Sequence, residues 1–342
     1  MNPIFIIGTE RSGTNLLRLM LNAHSAIAVP HPPHILKLFG PLEPLYGNLT
    51  VDANFRRLIE DVCRLVELHT YPWEIRPDRE QVFRKTQERN LLDIYFQLYD
   101  QYLAYTGKRR WACKSTFMIE HVAGILRCRP EARFIYMVRD GRDVAVSAKT
   151  SIFNQYHVFY TARRWQREQR LGLDWLAKLP AEQIMLLRYE ELIVDPETTV
   201  RRLCGFLGEA FEEQMLEYHR SREAQKSGSL SVSWENTSRP VLRDNANKFR
   251  RQLSKQEILQ FEAIAHREML ELGYRTDHPV ELLEQHQNLT QERFAYWLIE
   301  LRLKLKAEFN HLIRDKNSAA RLRKNLYLAS LRSLRRLTSP HA

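Results

Sequence analysis

Two hydrophobic rhythms alternate along the chain. Residues 3–8 form a short apolar run that ends on Gly8, and Thr14–Ala23 then repeats apolar residues at helical spacing. A short unbroken apolar run reads as a buried strand, so this stretch predicts a strand–loop–helix unit. Further strands are predicted at Arg110–Cys113, Arg133–Val138 and Ile184–Arg188. Helical patterns separate them at Asn54–Val66, Leu91–Tyr105, Phe117–Cys128, Asp143–Lys149, Tyr160–Lys178 and Thr198–Leu207. Strands alternating with helices predict an α/β fold, a parallel sheet flanked by helices on both faces. Residues 30–108 start proline-rich, turn helical and read as an insertion between the first two strands. Ser221–Asn247 is polar and aperiodic and reads as a long loop. Ser254 with Glu257 opens a capped helix that runs to Leu272 and stops at Gly273. The expected organisation is one domain over 1–275, carrying the 30–108 insertion, and a basic helical tail over 276–342. No internal repeat is present.

Charge narrows the choice of partners. The 342 residues carry a net charge of +11, which points to anionic partners. No nucleic-acid motif accompanies that charge, and much of it lies in the tail, so nucleic acid is not an expected partner. From Lys316 to Arg336 the tail holds seven Lys/Arg and no acid, interleaved with Leu322, Leu326, Leu331 and Leu334. That pattern suits an amphipathic helix on anionic lipid, or equally a helix docked on the main domain or on a second copy. The N-terminal apolar run is too short for an export signal or a membrane span. Cys63, Cys113, Cys128 and Cys204 form no CxxC pair and read as free thiols, with neither disulfide nor metal framework. The expectation is a cytoplasmic protein, peripheral to the inner face of a membrane if the tail binds lipid.

The candidate chemistry starts after the first strand. Gly8-Thr9-Glu10-Arg11-Ser12-Gly13-Thr14-Asn15 has nearly the glycine spacing of a Walker loop but is one residue shorter, and it ends in Thr-Asn where that motif has Lys-Ser/Thr. Backbone N–H groups of such a turn, a helix N-terminus and Arg11 converge on an anion. The lysine and hydroxyl that serve terminal phosphates and magnesium are missing, so the loop reads as an anion site without a metal. A second anion motif follows Arg133–Val138: Arg139 ends the strand and Ser147 follows eight residues later on the next helix. In open α/β sheets ligands gather at such strand ends. Arg142 reads as a partner of Asp140 or Asp143.

These motifs together resemble the PAPS-dependent sulfotransferases (PAPS is 3′-phosphoadenosine 5′-phosphosulfate). Arg11-Ser12-Gly13-Thr14-Asn15-Leu16-Leu17 is similar to the family's 5′-phosphosulfate loop, with Asn15 where most members have threonine. Arg139 and Ser147 resemble its 3′-phosphate motif. Leu187-Arg188-Tyr189-Glu190-Glu191-Leu192 with Asp195-Pro196 looks like the segment whose tyrosine lies near the adenine. Asn247-Lys248-Phe249-Arg250 looks like the closing segment whose basic residues reach the 3′-phosphate. The resemblance covers about residues 3–275 and implies PAPS as cosubstrate without a metal. Arg11, Ser12, Gly13, Thr14, Asn15, Arg139, Ser147, Tyr189, Lys248 and Arg250 would bind it. It implies transfer of a sulfuryl group to an acceptor hydroxyl on a glycan, lipid or small metabolite. Lys114 resembles the lysine of the family's strand-end segment and shares the cationic role with Arg11. Many bacterial relatives carry a glutamate base in a proline-rich segment, where this chain has Pro30-His31-Pro32-Pro33-His34 with Pro32 at the glutamate position. A histidine is competent as a base near neutral pH, so His31 and His34 are both candidates. The alternatives are a PAPS- or PAP-binding relative without catalysis and a P-loop kinase.

Overall fold

The computed structural model describes residues 2–149, 151, 156–230, 232–286, 293–314 and 317–338. In chain order the regular elements are β1 (Ile4–Gly8), α1 (Thr14–Ala23), β2 (Ile27–Ala28), α2 (Ile35–Phe39), α3 (Asp52–Glu67), α4 (Arg79–Lys85), α5 (Leu91–Thr106), β3 (Arg110–Cys113) and α6 (Val122–Cys128). They continue with β4 (Arg133–Val138), α7 (Gly141–Lys149), α8 (Val158–Lys178), β5 (Ile184–Arg188), α9 (Tyr189–Val194), α10 (Pro196–Leu207) and α11 (Arg222–Leu230). The last are α12 (Phe249–Gln252), α13 (Lys255–Glu271), α14 (Val280–Gln285), α15 (Arg293–Arg314) and α16 (Ser318–Thr338).

The strands form one five-stranded parallel sheet in the order β2-β3-β1-β4-β5. Register follows the apolar runs: Ile4 lies beside Ala112 and Phe5 beside Cys113, while Phe134 to Val138 pair in step with Ile184 to Arg188. Every residue of β1 is buried, as is β4 from Phe134 onward, which explains their unbroken hydrophobic sequence. The chain leaves β1 for β2 and β3 on one side and later places β4 and β5 on the other. The carboxyl ends of β1 and β4 therefore flank the point where the strand order reverses, which is where open α/β sheets hold ligands.

By contact density the chain divides into two compact units. One comprises residues 1–5, 21–133 and 316–342, the other 6–20 and 134–315. In the first, the insertion packs Phe55, Leu58, Tyr95, Phe96 and Tyr99 with Trp111 of β3 in a fully buried aromatic and aliphatic core. In the second, Trp165 of α8 and Phe261 of α13 meet edge to face at 5.8 Å. Ser254 and Glu257 form the capping box expected of α13, and Gly273 follows it with φ 76°. Residues after 275 divide between the units: α15 falls in the second and α16 in the first.

The structure corrects one reading of the sequence. Ser221–Asn247, expected as a loop, contains α11 and a 3-10 turn over Val232–Ser238. Polar tertiary bonds support α11 in place of an apolar stripe. Arg18 of α1, fully buried, donates to Glu223 (2.6 Å) and Ser227 (2.9 Å), and Ser221 Oγ accepts from Ala224 N–H. The two-residue strand β2 carries no pattern of its own and exists through its pairing with Arg110 and Trp111.

The tail helix α16 docks on the first unit. Leu328 and Leu331 are buried, while Leu322, Leu326 and Leu334 stay exposed. This is the docked alternative for the 316–336 stretch, of which Lys316 lies outside the described residues. Among the described residues no helix is long and apolar enough to cross a membrane.

Candidate functional site

The anion loop is shaped by two glycines. A Cβ on Gly8 (φ 134°) would lie 2.1 Å from the Met137 carbonyl oxygen, so glycine lets the end of β1 lie against β4. A Cβ on Gly13 (φ 85°) would lie 2.3 Å from the ring of Tyr189, so the bare backbone makes room for that ring. Gln169 donates to Thr9 Oγ1 at 2.6 Å and Arg164 pairs with Glu10 at 2.7 Å, fixing the loop before Thr14 opens α1.

The second motif meets the first. Arg139, at the end of β4, donates to the Arg11 carbonyl (3.2 Å) and the Asn245 carbonyl (2.8 Å), and its guanidinium lies 4.4 Å over the Tyr189 ring. Arg11 Nε donates to Ser147 Oγ at 3.0 Å. The Asn245 amide donates to the Tyr189 hydroxyl, closing the ring of contacts. Burial, followed by the charge of Arg139, pushes the Arg11 guanidinium down to about 10. A bound anion would relieve both the repulsion between the two guanidiniums and the depression of the Arg11 pKa.

Three buried donors at this place lack a hydrogen-bond partner among the described residues: Ser12 Oγ, Asn15 Nδ2 and Arg139 Nε. Asn15 is oriented by Arg18, whose Nε donates to Asn15 Oδ1 at 2.8 Å, so its amide N–H groups are the end left over. Buried polar groups are normally satisfied, and a cluster of orphan donors beside two cations fits an anionic ligand.

Arg142 is buried and pairs with Asp140 (2.7 Å) and Glu262 (2.5 Å). Arg250 is exposed and pairs with Asp277 at 3.0 Å, so its guanidinium is engaged outside the Arg11–Arg139 cluster. Lys248 immediately precedes α12, whose Phe249 N–H donates to Asp143 Oδ1 at 2.9 Å, tying the closing segment to α7.

The first unit holds the histidine segment. His34 is part-exposed, and its Nδ1 lies 3.1 Å from Ser115 Oγ. Burial lowers its pKa well below the ordinary imidazole value, reinforced by Lys114, His69, Lys37 and Lys324. His31 is 5% exposed, stacked on Tyr71 at 5.0 Å, and its carbonyl accepts from Trp73 Nε1. His69, which no motif singled out, sits 5.4 Å from the His31 ring and is pushed down to about 4, chiefly by burial and then by Lys324. Its only signal in the sequence is the aromatic density of His69-Thr70-Tyr71-Pro72-Trp73. Lys114, half-buried after β3, acts on both His34 and His69.

Backbone strain marks the same motifs. Among the described residues the non-glycine positions with positive φ are Arg11 (71°), His34 (54°) and Asn247 (56°). Asparagine tolerates that region, whereas arginine and histidine sit there at a cost of ~1–3 kcal/mol each, a pattern typical of functional positions.

The model of the sulfotransferase family matches residues 3–213. An uncharacterized protein of Aquifex aeolicus is 26% identical over 257 residues, 73% of this chain and 30% of its own length. Protein-tyrosine sulfotransferase 1 of Danio rerio is 24% identical over 241 residues, 68% of this chain and 60% of its own, so the chain spans less than two thirds of either relative. Among solved structures, the sulfotransferase domain of the Synechococcus PCC 7002 olefin synthase superposes with TM-score 0.53 at 22% identity, covering 77% of this chain and 94% of that domain. The sulfotransferase domain from the curacin biosynthetic pathway does so with TM-score 0.52 at 18% identity, covering 80% and 98%.

Proposed function

Since the chain belongs to the sulfotransferase family, we propose that it transfers a sulfuryl group from PAPS to an acceptor hydroxyl. The observation that carries this reading is the set of buried orphan donors, Ser12 Oγ, Asn15 Nδ2 and Arg139 Nε, gathered around Arg11 and Arg139. They suit a ligand with anionic groups at both ends. In this reading Arg11, Ser12, Asn15 and the N-terminus of α1 hold the 5′ side, and Arg139 with Ser147 holds the 3′-phosphate. Tyr189, packed on Gly13 and under Arg139, offers a ring face to the base, and Lys248 is the basic residue that the resemblance assigns to the 3′-phosphate side. Bound PAPS supplies the activated sulfuryl group, and transfer leaves PAP.

His34 then takes the acceptor's proton. Its lowered pKa keeps the imidazole neutral at physiological pH, and with Nδ1–H donating to Ser115 Oγ, Nε2 retains its lone pair. His31, buried against Tyr71, is the weaker candidate. The family resemblance assigns Lys114 and Arg11 the positive charge for the anion that develops. The acceptor class is open among glycans, lipids, small metabolites and, from the relatives' activity, tyrosyl peptides. The test is incubation with sulfur-labelled PAPS in EDTA against fractions of each class. Label transferred to any acceptor supports the reading, and failure with all four classes alongside equal affinity for PAP and AMP overturns it.

A further inference from the structure

The two tail helices are fastened to different units in different ways. In the first unit α16 is held by a polar anchor: Asp61 of α3 accepts from the Tyr46 hydroxyl (2.7 Å), the Tyr327 hydroxyl (3.2 Å) and Arg335 (2.5 Å). In the second unit α15 is held at the start of α8. Glu300, buried, accepts from the backbone N–H groups of Tyr156 (2.9 Å) and His157 (2.8 Å). The buried Tyr296, one turn earlier, stacks on the His157 ring at 4.6 Å and meets Phe159 at 5.2 Å. Leu303 and Ala307, half-buried, continue the same face at spacings of three and four residues. The rotation of α15 about its own axis is thereby fixed.

That rotation turns an apolar face outward. Phe294, Leu298, Leu301 and Leu305 are each offset by two residues from Tyr296, Glu300, Leu303 and Ala307, and at about 100° per residue the offset puts them on the opposite side of the helix. Trp297 borders this row and Phe309 extends it, so that it runs for about 22 Å at 1.5 Å per residue. The six side chains are between 41% and 70% exposed, and the Phe294 and Trp297 rings stack at 5.9 Å. A surface helix ordinarily hides its apolar stripe and turns charge to water. Here one stripe is hidden and a second is shown, and a contiguous row of large exposed side chains marks an interaction surface.

The charges beside the row select its partner. Arg302 and Lys306 are exposed on one flank and Lys304 on the other, while Glu308 is the one exposed acid among the described residues of α15. A second copy seated on this face would bring cations against cations, a repulsive juxtaposition. An anionic lipid surface instead takes the apolar row into its headgroup boundary and meets the cations with its phosphates. The helix is too polar along its middle to cross a bilayer, so it would lie in the plane of one. We propose that the open face of α15 seats the second unit on an anionic membrane surface. The helix α8, to which α15 is fastened, also carries the Arg164 and Gln169 that hold the anion loop, so the seat is built on the element that supports the nucleotide side. It stands on its own geometry and does not depend on the sulfotransferase reading.

Flotation of the full chain with vesicles of phosphatidylcholine, or of phosphatidylcholine with about one third phosphatidylserine, tests the seat. Binding to the anionic vesicles and little to the neutral ones is expected, weakening as salt screens the cations. Trp297→Gln combined with Leu301→Gln should lower affinity for the anionic vesicles by about tenfold or more, as for withdrawing two apolar side chains from the interface. Arg302→Gln combined with Lys306→Gln should lower it by about tenfold. All four side chains are exposed, so thermal melting should stay at the wild-type temperature in both variants. Should the apolar pair melt early, the Arg302/Lys306 variant decides. Absence of flotation, equal flotation with both vesicle types, or wild-type affinity in the Arg302/Lys306 variant overturns the proposal, as does wild-type affinity in a stably folded Trp297/Leu301 variant. Sedimentation without vesicles checks the other occupant. A dimer that the Trp297/Leu301 variant abolishes, with no vesicle binding by the wild type, would assign the face to a second copy and also overturn it.

Discussion

Arg139 carries three tasks in one side chain: it fastens the Arg11 loop, fastens the closing segment through Asn245, and keeps Nε available as a donor. A lysine could supply the charge but not the planar fork, so Arg139→Lys as well as Arg139→Ala should weaken PAP. The alanine variant is expected to lose ~2–5 kcal/mol of binding, the range for truncating a buried, hydrogen-bonded charge partner. AMP, which lacks the 3′-phosphate, should change far less. Calorimetry with both nucleotides in EDTA checks this, and a uniform loss for PAP and AMP would assign Arg139 a purely structural role. His34 invites a different substitution. Asparagine accepts positive φ and removes the base, so His34→Asn should lower turnover by ~10²–10⁴ without a loss of thermal stability. Wild-type turnover in that variant would move the base elsewhere. At this scale the sequence was legible wherever a motif fixed the backbone, as at Arg11, Gly13 and Arg139. It was silent on His69, which meets His31 only through a fold that brings distant segments together.

Four of the five strands and most helices could be placed from the sequence because burial on both faces writes itself as unbroken apolar runs in β1 and β4, while β2 left no such run. The segment from Ser221 could not, since α11 is held by Arg18 and not by an apolar stripe. Arg18 is fully buried and its charge is met by Glu223, so the pair makes the helix dependent on α1. Glu223→Ala would leave a guanidinium buried without its carboxylate, at a cost of about 3 kcal/mol. Ser227→Ala removes one neutral acceptor and should cost about 1 kcal/mol. Urea unfolding of the two variants separates these outcomes. Equal, small losses would mean that α11 is held by something other than its tie to Arg18. The mode of docking of α16 was likewise hidden: the basic pattern of the tail predicts a surface helix, while the Asp61 anchor joins residues 46, 61, 327 and 335, which no local pattern links.

At the scale of the whole molecule, a chain of net charge +11 folds while holding two histidines away from protons. Burial and the neighbouring lysines put His34 well below the ordinary value and His69 at about 4. In the unfolded chain both return to ~6.5. Between those limits the unfolded state binds more protons than the folded one, so stability rises with pH, is complete above about pH 6.5, and is lost as pH falls toward the folded values. His69 alone accounts for ~3 kcal/mol across that interval. The groups facing it are His31, 5.4 Å away ring to ring, the backbone of Tyr71, and the charges of Lys324 of α16 and Lys114 after β3. Acid therefore adds protons to a site already rich in positive charge, and the self-repulsion of a basic chain acts in the same direction. Urea unfolding at pH 7.5, 6.0 and 5.0 should show a steady decline. His69→Gln keeps a polar group near the Tyr71 backbone but cannot titrate, so its decline should be shallower by up to ~1.4 kcal/mol per pH unit below pH 6. A variant whose stability falls as steeply as the wild type would show that the fold does not hold His69 neutral. The picture of lysines gathered around uncharged imidazoles would then lose its thermodynamic support.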